Sequence, residues 1–334
     1  MIFRNYNLIY LAKPRFGGWV TFTAHLKHAL EETGAETHLY RVGKTRENVL
    51  RDYGYSVKYN NLDLKSAVGL ANTGRTIITA IDANYLKEGA ALLKAGARLV
   101  IHDPTEMKGD LLQVVKDTGT EPIVIRAENV HNLAEHGIKS HFIKHPYVRH
   151  AESHPRPRVN NAVSFSRLDW DKHIHIMAGA NLLLPPNKQI SIHGFENRLY
   201  THHKLTNDFP NWRDCYHGAF GNAWGVAANM AGNSNFVVDM SVIKGDGGGS
   251  QYTFLEAWDG ESVLVVNRGW LSKREKTVED GVTAIAVSTA EELADLMKSG
   301  LSSAELKNII GNTTDILNER SSSKIVGQYD ALFS

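Results

Sequence analysis

The sequence predicts an α/β protein of two doubly wound domains, each a parallel sheet covered by helices on both faces. Three observations carry this expectation. Short apolar stretches alternate with helix-like stretches from residue 8 to residue 145; a polar stretch punctuated by Pro146, Pro155 and Pro157 follows; and the alternation restarts at residue 161. Strands separated by helical segments form β-α-β units, whose crossovers place helices on the sheet faces. At 334 residues the chain can bury two cores of ordinary size.

The elements follow in order. LIYLA (8–12) reads as a strand and GWVTFTAHLKHALEETG (18–34) as the helix after it. Trp19, Phe22, Leu26, Ala29 and Leu30 recur at helical spacing on one face, and Gly34 is a natural stop. THLYRV (37–42), TIITAI (76–81), RLVIH (98–102), PIVIR (122–126) and HFIKH (141–145) continue the strands, with YLKEGAALLKAG (85–96) the clearest helix between them. Past the prolines, NAVSFS (161–166), QISIHG (189–194), NFVVDM (235–240), SVLVV (262–266) and TAIAV (283–287) read as strands, with helices near 171–180, 251–259 and 289–299. The expected division is a first domain over 1–150, a second over 151–310, and helices over 311–334 packing back on the first. No repeat of solenoid period is present.

Composition narrows the class. Apolar content of 42% and charged content of 22% are those of a soluble globular protein. No apolar run approaches the ~18–20 residues that span a bilayer, and MIFRNYNLIYLAKPRF reads as a first strand, not a targeting segment. Cys215 is the only cysteine, which excludes an internal disulfide and fits a reducing, cytoplasmic setting. A net charge of +1 argues against a general nucleic-acid magnet, yet residues 139–158 hold five Lys/Arg and four His against Glu152. That stripe, with Lys139, Lys144 and Arg149, can line a path for phosphates or form a solvated linker.

In doubly wound sheets, ligands bind beyond the carboxyl ends of the strands, where strand order reverses. Residues just after strands are therefore the candidates. Gly17-Gly18 opens the first helix, permitting close backbone approach of an anion, though a plain strand-to-helix turn needs the same residues. His102-Asp103 ends a strand and can orient or deprotonate a hydroxyl, or cap a turn before Pro104. Arg167 and Lys172 suit a diphosphate, a fork and a point charge, unless Asp169 and Asp171 neutralise them. The segment KGDGGGSQYTFLEAW places a flexible loop before a helix whose N-terminus can hold a phosphate, and Glu256, one turn in, can accept from two ribose hydroxyls. Sixteen histidines include KHPYVRH, DKHIHI and YTHHKL, none with the spacing of a zinc pattern, so no metal is expected. His173 and His175 alternate, which should keep them off one helix face.

Taken in order, FGGWVTF, SRLDWDKHI, SIHGFENR and GDGGGSQYTFLEAWDGESVLVV resemble the retaining, nucleotide-sugar-dependent branch of the glycosyltransferase B-fold family (GT-B), two Rossmann-like domains facing across a cleft. The resemblance implies no required cofactor and a nucleotide sugar, UDP-linked, as co-substrate. It implies that Arg167 and Lys172 hold the donor diphosphate, that Glu256 binds the ribose, and that Gly17 and Gly18 let the backbone close on phosphate. It places Gly194 and the loop of Asp246, Gly247, Gly248 and Gly249 against the donor, with Tyr252 and Thr253 meeting phosphate. The branch carries two acids eight positions apart; here Gly248 occupies the first place and Asp246 is the nearest acid. RLVIHDPTE is similar to a segment of phage DNA glucosyltransferases, which implies a hydroxymethylated pyrimidine in duplex DNA as acceptor. A cell-envelope glycan or small-molecule acceptor is the alternative. A nucleotide-sugar 2-epimerase and a non-catalytic nucleotide-sugar or DNA-binding protein are further alternatives.

Overall fold

The computed structural model describes residues 4–14, 17–43, 47–52, 54–107, 109–150, 160–221, 223–242 and 248–334. The chain divides into two compact units, one of residues 1–148, 245–247 and 319–334 and the other of residues 149–244 and 248–318.

The first unit is wound around β1 (Asn5–Leu11), followed by α1 (Gly17–Glu32) and β2 (Glu36–Val42). A small antiparallel hairpin comes next, β3 (Val49–Asp52) with β4 (Tyr55–Lys58). Then follow β5 (Asn60–Leu62), α2 (Leu64–Thr73), β6 (Arg75–Ile81), α3 (Leu86–Lys94), β7 (Arg98–Ile101), α4 (Asp110–Thr118), β8 (Ile123–Val124), α5 (Ala127–Ala134) and β9 (His141–Phe142). The sheet runs β5-β2-β1-β6-β7-β8-β9, with every pairing parallel. Strand order reverses between β1 and β6. The apolar stretches expected over 122–126 and 141–145 pair through only two residues each, β9 at the edge of the sheet and β8 between it and β7.

Helix α1 departs from the one-faced pattern. Val20 through Leu26 are all buried, His25 among them. The hairpin supplies the second cover: His25 Nε2 lies 3.0 Å from Tyr55 Oη, and His25 Nδ1 accepts the Val148 N–H at 3.0 Å.

The second unit comprises β10 (Asn160–Phe165), α6 (Ile174–Leu182), β11 (Ile190–His193), α7 (Arg198–Tyr200), α8 (Val226–Gly232), β12 (Ser234–Asp239), α9 (Tyr252–Asp259), β13 (Val263–Asn267), β14 (Ile285–Val287), α10 (Ala290–Ser299) and α11 (Ser303–Asn318). Its sheet runs β11-β10-β12-β13-β14, again all parallel. The order reverses between β10 and β12, so the loops after these two strands meet at the switch point. The core below them packs Ile174, Met177, Phe236, Val238, Val263 and Val265.

The last helix, α12 (Ser322–Ala331), belongs to the first unit and packs on α1. Asp330 accepts from Tyr6 Oη and Arg4 Nη1, both at 2.7 Å, and Tyr147 N–H bonds the Arg320 carbonyl at 3.0 Å. Both parallel sheets and their reversals are those of the two-domain GT-B architecture.

Candidate functional site

In the second unit, β10 ends at Phe165, and the chain turns through Ser166–Asp169 into a single 3₁₀ turn, Trp170–Lys172. Asp169 starts that turn by accepting the Trp170 N–H at 2.8 Å. Lys172 therefore precedes α6 and is not part of it. His173 follows with a left-handed backbone, φ 47°, rare for a residue with a Cβ. This is why His173 and His175 meet after all, ring centroids 5.5 Å apart: His173 is outside the helical path that would have separated them.

Arg167 and Lys172 converge on one carboxylate. Asp171 Oδ2 lies 3.9 Å from the Arg167 guanidinium and 3.6 Å from Lys172 Nζ, while Asp169 lies 3.5 Å from Arg167. The two cations differ in setting: the Arg167 side chain is 53% exposed and that of Lys172 11%. An exposed pair at such distances holds Arg167 weakly and leaves its fork available to an anion. Lys172 is held more firmly, its Nζ 3.3 Å from Ser241 Oγ in the loop after β12.

After β10, at the end of β12 and before α9, polar atoms are buried without a hydrogen-bond partner: Ser166 Oγ, Asp239 Oδ2 and Gln251 Nε2. Such atoms are uncommon, since an unmet buried polar group costs about 1–3 kcal/mol. Gln251 precedes α9 with an extended backbone and no side-chain cap hydrogen bond, and Tyr252 and Thr253 open the helix. Glu256 is the fifth residue of that helix and 5% exposed.

The glycines near α9 have a local reason. Gly248 and Gly249 have φ of 101° and 80°. Gly248 bridges Glu275 in parallel fashion, and a Cβ there would lie 2.5 Å from Lys273 Cβ and 2.8 Å from the Glu275 carbonyl oxygen. A Cβ on Gly249 would strike the Glu275 carboxylate at 2.7 Å. Both glycines thus let the backbone cross residues 273–275 before entering α9. Asp246 and Gly247 lie outside the described residues. Gly194 is likewise demanded by contact, between the loops after β10 and β11. Gly18, by contrast, faces open space: a methyl placed on it would meet nothing within 4 Å. It sits exposed in the first turn of α1, one residue after Gly17.

In the first unit, His102 is buried, 5% exposed, and its Nε2 donates to the Thr79 carbonyl at 2.8 Å. Burial pulls its pKa down to about 4, so the ring is neutral at physiological pH. Phe22 packs edge-on against it at 4.7 Å between centroids. Asp103 heads the 3₁₀ turn Pro104–Glu106. Glu106, which sequence reasoning passed over, accepts the Trp19 indole N–H at 2.8 Å and the His102 backbone N–H at 2.9 Å. Its burial, and then Asp103 beside it, push its pKa up to about 8. An acid three residues after Asp103 was the available signal.

The basic stripe is largely engaged. Lys144 pairs with Glu319, and Arg149 Nε lies 3.0 Å from the fully buried Asp259, which also accepts the His150 N–H at 2.8 Å. Lys139 is exposed, and residues 151–159 lie outside the described residues. A cavity of about 580 Å³ opens beside edge strand β11, lined by Phe195, Arg198, Arg213 and Tyr216 among others. There Arg213 grips Glu196 with both arms, at 3.0 and 2.9 Å. Among the described residues no group of three or more His, Cys, Asp or Glu is placed to hold a metal ion, and no helix is long and apolar enough to cross a membrane.

Two parallel sheets, each with ligand-type loops at its switch point, define a GT-B protein by fold. No protein-family model matches the chain, and no curated protein matches it in sequence. Solved structures do match over nearly the full length. An alpha-glucosyltransferase in complex with UDP and a 13-mer DNA containing an HMU base superimposes with TM-score 0.73 at 13% identity, covering 100% of both chains. HepE of Anabaena in complex with UDP and glucose gives 0.67 at 14% identity, covering 99% of this chain and 98% of that one. A glycosyltransferase from Rickettsia africae gives 0.67 at 15% identity, covering 100% of both.

Proposed function

We propose that this chain is a nucleotide-sugar-dependent glycosyltransferase that takes a UDP-linked sugar and retains the anomeric configuration. The observation that carries this is the arrangement at the switch point of the second sheet. Arg167 and Lys172 stand together there, Lys172 joined to the loop after β12 through Ser241, while Ser166 after β10, Asp239 at the end of β12 and Gln251 before α9 each bury an unpartnered polar atom. That set suits a diphosphate flanked by hydroxyl-rich groups.

In this reading Lys172 and Arg167 bind the diphosphate, and Tyr252 and Thr253, at the start of α9, meet it. Glu256 accepts from the ribose hydroxyls. As the bond from the anomeric carbon to the diphosphate oxygen breaks, negative charge grows on the leaving UDP, and the two cations stabilise it. The acceptor oxygen forms the new bond to the same carbon on the face that the diphosphate leaves, and its proton passes to the departing diphosphate oxygen. Asp103, at the carboxyl edge of β7, is the first-unit candidate for orienting that hydroxyl. His102 gives its Nε2–H to the Thr79 carbonyl. Solved structures of the same fold with UDP or UDP-glucose bound support the donor class.

For the acceptor we favour a hydroxymethylated pyrimidine in DNA, supported by the similar fold that carries HMU-containing DNA. A second reading, a glycan or small-molecule acceptor, is favoured by the pairing of Lys144 and Arg149 with acids, which leaves fewer cations for phosphates. The test is release of UDP from UDP-glucose in the presence of hydroxymethylated DNA, unmodified DNA, or simple glycans. Release only with hydroxymethylated DNA supports the first acceptor. Release only with glycans supports the second. No release with any acceptor, together with no thermal shift by UDP, removes the enzyme reading.

A further inference from the structure

Behind Lys172, the end of β12 builds a support. Ser241 donates its backbone N–H to Asp239 Oδ1 at 2.9 Å, and its hydroxyl to the same oxygen. A hydroxyl has one proton; with that proton on Asp239, Ser241 Oγ meets Lys172 Nζ at 3.3 Å as the acceptor. The bonds therefore run one way, from ammonium to hydroxyl to carboxylate. Asp239 and Ser241 are both buried, 1% and 0% exposed. Trp270 Nε1 donates to the Ser241 carbonyl at 2.8 Å, and Val242 N–H to the Asp171 carbonyl at 2.9 Å. The strand end is thereby clamped to the turn that carries Lys172.

We propose that Asp239, acting through Ser241, is a positioning residue that fixes the Lys172 ammonium in place for the donor diphosphate. This rests on the reading of Lys172 as a diphosphate ligand. An ammonium has three protons. Ser241 takes one, Asp171 at 3.6 Å lies near another, and the third remains for the ligand. The charged and titratable groups around it are Asp239, Asp171, Arg167 across Asp171, and His173, next in the chain. Burial raises the Asp239 carboxyl above the usual range, and the Lys172 ammonium opposes that rise.

The test uses the full chain and UDP as the probe, with affinity measured by calorimetry at pH 8. Asp239→Asn keeps the size and an acceptor oxygen but removes the charge. Its expected effect is a roughly tenfold weaker UDP affinity in the otherwise wild-type chain and no further loss when it is added to Lys172→Ala. A merely structural role would shift the melting temperature and weaken UDP alike with and without Lys172. Wild-type affinity in Asp239→Asn, or the same fold-loss in both backgrounds, overturns the proposal. If Asp239→Asn does not fold, Ser241→Ala and Ser241→Thr decide: affinity lost in the first and kept in the second supports the relay, and wild-type affinity in Ser241→Ala overturns it. Lys172→Ala is the reference. Undiminished UDP affinity in that variant defeats the underlying reading itself, whatever the Asp239 and Ser241 variants do.

Discussion

Gly194 rests directly on Ser166: a Cβ added to Gly194 would lie 1.9 Å from the Ser166 carbonyl oxygen. The backbone at Gly194 has φ 145°, and its N–H bonds the Gly218 carbonyl at 3.0 Å. The loop after β11 is thus seated on the loop after β10, one residue from Arg167. Gly194→Ala must push these loops apart as well as bear an unfavourable φ. We expect a loss of about 2–3 kcal/mol in unfolding free energy, read by urea denaturation. Turnover of the surviving folded enzyme should fall as well, because Ser166 and Arg167 shift together.

Gly18 makes the opposite prediction. With nothing within 4 Å of an added methyl, Gly18→Ala should leave the fold unharmed. As a helix substitution it should stabilise by up to ~1 kcal/mol. If the α1 start closes on the donor, the same methyl should still cut turnover at least roughly tenfold, a contact loss worth ~1.4 kcal/mol. Stability from denaturation and rate from UDP release separate the two. Full activity in a stabilised variant would remove Gly18 from the donor site.

Arg167→Ala and Lys172→Ala should each lower kcat/KM by about 10²–10³ if they neutralise the departing diphosphate. Their stabilities should differ. The Arg167 side chain is 53% exposed and held only by distant carboxylates, so its removal should be nearly silent in unfolding. The Lys172 side chain is largely covered, meets Ser241 and opposes the charge of Asp239, so Lys172→Ala should cost more. Steady-state kinetics with thermal unfolding of both variants checks the contrast.

Glu106 should leave a mark on stability as a function of pH. Its folded pKa, about 8, stands above the ordinary glutamate value of 4.5, so between these the folded state binds more protons than the unfolded state. This carboxyl therefore makes stability fall as pH rises from ~4.5 towards 8, at up to ~1.4 kcal/mol per pH unit. Glu106→Gln cannot ionise and should lose that slope. Unfolding free energies at pH 5, 6.5 and 8 should show the variant gaining on wild type as pH rises. A parallel pair of curves would mean that Glu106 is ionised in the folded chain.

Much of the architecture is legible in the sequence because it rests on local periodicity. Strands at 8–12, 37–42, 76–81 and 161–166 each overlap the place where they are expected, since an apolar run between helical stretches can be covered only in a parallel sheet. The β3–β4 hairpin leaves little trace. Its alternation spans only four residues a side, and its purpose, covering His25 of α1, is visible only in three dimensions. Arg167, Lys172 and Glu256 are legible as candidates because they follow strands. Asp239 and Ser241 are not, since within NFVVDMS they read as the end of an apolar run.

What the order of residues determined by itself is the pair of β-α-β domains and the strand edges at which polar side chains collect, because burial periodicity is a property of neighbours along the chain. What only the tertiary structure decided is which of those side chains meet. Ser241 behind Lys172, Glu106 with Trp19 of α1 and Ser166 against Gly194 are contacts between segments far apart in sequence. The sheet brings them together because parallel strands deliver all their carboxyl ends to one edge.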